Sequence, residues 1–355
     1  MVTRLSWDQV LRWRMRRHHL ADDKAADPVA VARRVVGVHA QVAASAVTAT
    51  NLRTGGTHQL DTLLYGERTL VRTWAARGTL HLLPADDFPH WVAAMSTRTR
   101  DKTNSWLRYN SVTAAQMADL LAALPDVLTD EPLTREELAD AIITATGHRE
   151  LKDRLTQGFG TILKPAAFRG LLCSGPPRGR NVTFVAPRRW LGDWEPVETG
   201  AAIDRLATDY LGAYGPATPE EFARWFDLTP ALAKKSFRRI EGGLAPVEVD
   251  GTPMWLPEAH LKELPRKAAQ RAVLLPAFDP YITGSTRQLE RIGAAGHKAA
   301  VSRPQGWISP TVVVDGWVRG VWEPDTGEIT WFGTIPATVR RTVQSLIDAN
   351  LSTGG

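Results

Sequence analysis

The chain of 355 residues is 43% hydrophobic and 23% charged with a net charge of +5, a balance that suits a soluble globular protein of roughly two to four small domains. The single cysteine, Cys173, excludes a disulfide framework and any multi-cysteine zinc site, and no apolar run approaches the ~20 residues of a membrane span. HExxH, P-loop, GxSxG and strand-to-helix GxGxxG signatures are all missing, which removes support for metal-assisted hydrolysis, a phosphate cradle or a serine elbow, and leaves no metal or cofactor to expect.

Charge is uneven along the chain. Residues 1–110 hold 16 Lys and Arg against 9 Asp and Glu, whereas residues 111–355 hold 27 against 29. The surplus is nearly all arginine, whose planar fork suits bidentate phosphate contact, so the front of the chain carries the footprint of nucleic-acid binding. The first helix begins after Ser6, with Gln9 completing a capping box. Trp7, Val10, Leu11 and Met15 form its buried stripe, leaving Arg12, Arg16 and Arg17 for solvent or a phosphate backbone. A second helix opens at Asp27-Pro28, an N-cap followed by proline in the first turn, and runs through Arg33 and Arg34 toward Gly37.

The stretch 33–45, RRVVGVHAQVAAS, then sets His39 and Gln41 two residues apart. On an ideal helix such residues point about 200° from each other, so they converge on one target only if the helix breaks at Gly37. A break there presents a base-capable imidazole beside a neutral amide. After a Gly55-Gly56 turn comes a short helix over 60–65, and 70–83, LVRTWAARGTLHLL, reads as two strands about an Arg77-Gly78 turn. Three helices and a hairpin make a winged helix, a module that meets DNA with a helix or with its wing, where Arg72, Arg77, Thr79 and His81 are the candidates.

The same order recurs twice. Thr134-Arg135-Glu136-Glu137-Leu138-Ala139 caps a helix, a second helix covers 157–168, and GLLCSG and RNVTFVAP form two strands. Thr218-Pro219-Glu220-Glu221-Phe222-Ala223 opens a helix, 230–240 follows, and LAPVEV-DG-TPMWLP is a hairpin on an Asp-Gly turn. The expected fold class is α+β, with winged-helix modules at 1–110, 111–197 and 198–265. From 266 to 355, aromatic and β-branched runs predict a small antiparallel sheet or β-barrel-like region closed by a helix over 336–351. Trp307, Trp317, Trp322 and Trp331 are read there as structural, at alternating strand positions.

Tandem winged helices followed by an aromatic β region, with RGTLHLLP in the first wing and LLPAFDPYITGSTRQ opening the last region, resemble the winged-helix DNA glycosylase family of AlkZ and YcaQ over nearly the whole chain. The resemblance implies an alkylpurine DNA glycosylase, with antibiotic self-resistance among the family's roles, and a partner of double-stranded DNA carrying alkylated purines. It implies a catalytic signature of Gln, one intervening residue, then Gln or Asp. Here that position reads His39-Ala40-Gln41, so the second member is kept and the first is histidine. Asp279, Tyr281 and Arg287 of the second phrase are candidates to face the cleft, although Asp279-Pro280 also reads as a turn. The chemistry expected is a monofunctional excision of N7- or N3-alkylpurines by water attack at C1′, performed by a cytoplasmic monomer with no membrane partner. The competing readings are a winged-helix transcriptional regulator or architectural DNA binder, and a lesion binder without activity.

Overall fold

In a computed structural model that describes residues 2–158, 160–264 and 271–353, the expected caps form: Ser6 with Gln9, Thr134 with Glu137 and Thr218 with Glu221. They open the helices Trp7–Arg17, Arg135–Thr146 and Pro219–Phe226. Each box satisfies backbone N–H groups that a helix start otherwise leaves without partners. The chain is α+β and separates into two units, one of Met1–His58, Ala207–Trp225 and Pro230–Gly355, the other of Gln59–Leu206 and Phe226–Thr229. The expected boundary at 265/266 lies outside the described residues. No described helix is long and apolar enough to cross a membrane.

The first unit holds two sheets. Thr3–Leu5 runs parallel to Leu244–Val249, which pairs antiparallel with Thr252–Pro257 across the Asp250-Gly251 turn. Both turn residues have positive φ, 44° and 81°, as a tight two-residue hairpin requires. The second sheet is antiparallel, in the order Ala272–Leu275, Thr311–Val314, Trp317–Trp322, Ile329–Trp331. Its first and last strands are its edges, so it does not close into the barrel-like region expected from the sequence. Four strands are too few to close, and a helix covers one face instead. Alternation sends Val312, Val314 and Trp322 against Val343 and Ile347 of the helix Ala337–Thr353, while Leu275, Val313 and Val318 join Val10 and Leu11 in the main core. At the Asp315-Gly316 turn Gly316 passes so close to the first helix that an added Cβ would lie 2.6 Å from the Cβ of Leu11.

The second unit contains the hairpin Leu70–Trp74 with Leu80–Pro84, in which Val71 pairs with Leu83 and Thr73 with His81. Its turn falls at Arg77-Gly78 as expected, both residues having positive φ. Ala114–Val127 and Arg135–Thr146 pack through Leu120, Leu124, Leu138 and Ile142 onto Trp74 and Phe184. The helix expected over 157–168 is shorter, Lys164–Phe168, because Gly158 and Gly160 both take positive φ; Phe159, within that stretch, lies outside the described residues. The short helix expected at 60–65 is a single π-turn, Thr62–Gly66.

Candidate catalytic site

The helix Pro28–Arg34 ends as the sequence predicts, but one residue early. Val36 N donates to Arg33 O and Gly37 N to Ala32 O, the bond pattern of a Schellman cap. In that motif the left-handed position is usually glycine, yet here it is Val36, at φ 55°, followed by Gly37 at 94°. A buried β-branched residue in that region is a strained backbone, of order 1–3 kcal/mol. It is held from outside the turn: the buried Tyr214 hydroxyl donates to Val35 O at 2.8 Å.

The chain leaves the turn extended through Val38–His39. The strand stops at His39 and Gln41 lies in the bend that follows, so the break takes both residues off the helix without setting their side chains in one strand register. His39 is only 4% exposed while Gln41 is exposed, and Gln41 N makes a long 3.5 Å contact to His39 Nδ1. With Nδ1 accepting, the proton of the neutral ring sits on Nε2. The imidazole stacks on Phe278, ring centroids 4.8 Å apart and planes 7° from parallel. Phe278 in turn meets Trp307 edge-on at 5.0 Å, and Trp307 is 44% exposed.

Phe278 is itself strained, at φ 57°. Its neighbour Asp279 is fully buried, accepts from Arg53 Nη1 and Nη2 at 2.8 and 2.7 Å, and accepts Tyr281 N at 2.9 Å to cap the short helix Pro280–Thr283. Tyr281 is equally buried, donating its hydroxyl to Gly316 O at 2.7 Å. Asp279 and Tyr281 are therefore packed inside the first unit rather than facing a cleft, and they fix the backbone on which Phe278 sits. Arg287 is exposed.

The arginines divide the same way. Arg16 and Arg33 are exposed, and Arg12 and Arg34 half-buried, in the first unit; Arg72 and Arg77 are half-buried in the second. Arg17 is pulled down to about 10, first by burial and then by the positive charge of Arg34. Arg17 also lies 3.7 Å from the Glu263 carboxylate and donates to Gly212 O, so its charge is partly met within the protein. Arg14, Arg53 and Arg98, counted in the basic surplus, are interior instead: Arg14 donates to Gly215 O, Pro216 O and Gln288 Oε1. At the wing, the Thr79 hydroxyl closes its own turn onto Ala76 O at 3.0 Å. His81 is buried, donates Nδ1–H to Thr79 O at 2.9 Å, and burial pulls its pKa down to about 3, so its ring is held inside the wing rather than presented at its surface.

Two residues of this site are not found by reading the sequence, Phe278 and Trp307. Trp307 follows Pro304-Gln305-Gly306, a turn signal that places it at a loop tip and not in a strand. Among the described residues no group of three or more His, Cys, Asp or Glu side chains is placed to hold a metal ion.

Comparison with known proteins gives a consistent picture. The family described as DNA glycosylase AlkZ-like matches residues 32–346. An interstrand DNA cross-link repair glycosylase of Streptomyces sahachiroi is 37% identical over 326 residues, covering 90% of this chain and 88% of that protein. The solved structure of the Streptomyces sahachiroi DNA glycosylase AlkZ superposes with a TM-score of 0.90 at 34% identity, covering 99% of this chain and 98% of that one.

Proposed function

The chain belongs to the AlkZ-like DNA glycosylase family, and from that premise we propose that it excises N7- or N3-alkylated purines, including the purine arms of interstrand crosslinks, by water attack at C1′ with His39 and Gln41 as its catalytic residues. An alkylated purine of this kind carries a formal positive charge, so its glycosidic bond is weakened and the base departs neutral. Little acid catalysis is needed; the enzyme must orient a water and stabilise the oxocarbenium-like sugar. The Gln41 side-chain amide holds the water by hydrogen bonding, and the His39 Nδ1 lone pair, which Gln41 N meets only at a long 3.5 Å, takes its proton in place of that contact. The observation that supports this reading is that the buried His39 and the exposed Gln41 adjoin on one strained segment, the Gln41 backbone N 3.5 Å from His39 Nδ1, where the resemblance puts the family's two-residue signature.

Trp307 and Phe278 supply an aromatic platform beside the imidazole on which an unstacked base can rest. Arg12, Arg16, Arg33 and Arg34, with Arg72 and Arg77, hold phosphates, and the three helix-and-hairpin runs act as winged-helix modules. The test is release of free base from duplexes carrying defined N7- or N3-alkylpurines or an N7-linked crosslink, with EDTA present throughout. Release from at least one of these is expected. Tight, salt-dependent duplex binding with no release from any would favour the regulator or lesion-binder reading.

A further inference from the structure

The second unit carries a pocket of about 240 Å³ that contains neither His39 nor Gln41, its lining including the wing residue Arg77. Trp106 and Tyr109 line it, three residues apart on the helix Asn104–Asn110 and therefore on one face. Tyr109 is 84% exposed, an unusual position for an aromatic ring with nothing to cover it. Arg100 and Lys164 supply charge. Among the described residues neither side chain has a carboxylate or hydrogen-bond partner, although Lys164 is half-buried and burial pulls its pKa down.

The pocket's own carboxylates do not neutralise these cations. Asp101 is bound by Arg169 at 2.8 Å, and Asp227 lies in the field of Arg98. Arg98 is fixed as the floor: it donates to Ala75 O and Phe226 O and lies 4.5 Å from the Phe168 ring centroid. What remains is an aromatic face beside two unpaired cations. A simple anion would leave the face uncovered, and a neutral aromatic would leave the cations unpaired.

We propose that this pocket binds a single unstacked nucleotide, its base against Tyr109 and Trp106 and its phosphate against Lys164 and Arg100. Planar stacking with a cation at the phosphate is the general solution for unpaired strands, and the volume admits one base. The nucleotide can come from a displaced DNA strand or be free in solution.

Photocrosslinking separates these sources without requiring any lesion or turnover, so the outcome is independent of the assignment of His39 and Gln41. The full chain is irradiated with an undamaged single-stranded oligonucleotide bearing one 5-iodouracil, with the same strand in duplex, and with free 5-iodo-dUMP, and the adducts are mapped. Adducts on Tyr109 or Trp106 are expected from the single strand and weakly or not at all from the duplex; adducts there from the mononucleotide alone would support the pocket and assign the free source. Lys164→Ala should weaken single-strand affinity about tenfold, the loss of one charge-assisted hydrogen bond, and the exposed Arg100→Ala should weaken it in the same direction. Adducts mapping only outside the pocket, or affinity unchanged in both variants, would overturn the proposal.

Discussion

His39 and His81 are equally buried, each 4% exposed, yet their surroundings differ in kind. His81 stands in regular hairpin register opposite Thr73, its Nδ1–H satisfied by Thr79 O and its pKa held near 3 by burial. His39 follows a left-handed valine, stacks on a left-handed phenylalanine, and adjoins an exposed amide and, through Phe278, an exposed indole. A buried histidine whose ring is tied back into its own hairpin is scaffold. One that stacks on a strained residue, beside groups left open to solvent, is where a working site is expected.

The largest effect that would break this contrast is at the clamp. Asp279→Ala leaves the Arg53 guanidinium buried without its bidentate partner, so urea unfolding should show a loss of about 3–5 kcal/mol. A loss under about 1 kcal/mol would mean that the ion pair does not offset the strain at Phe278. Gln41→Ala should act on chemistry instead, lowering single-turnover excision by roughly 10²–10³-fold with DNA affinity and melting temperature unchanged. Failure of excision to fall would move the water-holding role elsewhere.

The scaffold histidines give the next effect, and its sign follows from linkage. His81, with its pKa lowered to about 3, stays neutral in the folded state while the unfolded chain takes up a proton near its ordinary pKa, so stability is full above that pKa and falls as the pH drops below it. Between pH 7 and 5 the loss is about 2 kcal/mol for such a group. His18 adds in the same direction, since burial, then the charges of Arg53 and Arg14, hold it well below its usual value. Thermal unfolding at the two pH values measures this, and His81→Gln should remove part of it. The smallest effect is at the platform: Trp307→Ala should slow excision about tenfold, the lower end of a base-stacking contribution, while Trp307→Phe recovers most of it and neither changes stability.

The break before His39 is legible because Gly37 and the spacing of His39 and Gln41 demand it, and the capping boxes and Asp-Gly turns are legible because each is a local hydrogen-bonding rule. What escapes the sequence is long-range. No propensity places Val36 at a left-handed position; Tyr214, far along the chain, holds the preceding carbonyl. Arg53, one of the arginines of the front half's basic surplus, and Asp279, which reads as a turn or a cleft residue, stand 226 residues apart and become a buried pair only in the folded chain. Trp307 is misread because β-branched neighbours suggest a strand, although the Pro-Gln-Gly before it forms a turn.

The central claim is that His39 takes a proton from the water that Gln41 holds. Single-turnover excision by the wild type, followed between about pH 5 and 8 so that product release cannot mask the chemistry, should rise with pH through one ionisation and then level, and His39→Gln should abolish that dependence. A flat profile in the wild type, with His39→Gln excising at an unchanged rate, would contradict the base role and leave Gln41 as the principal catalytic residue.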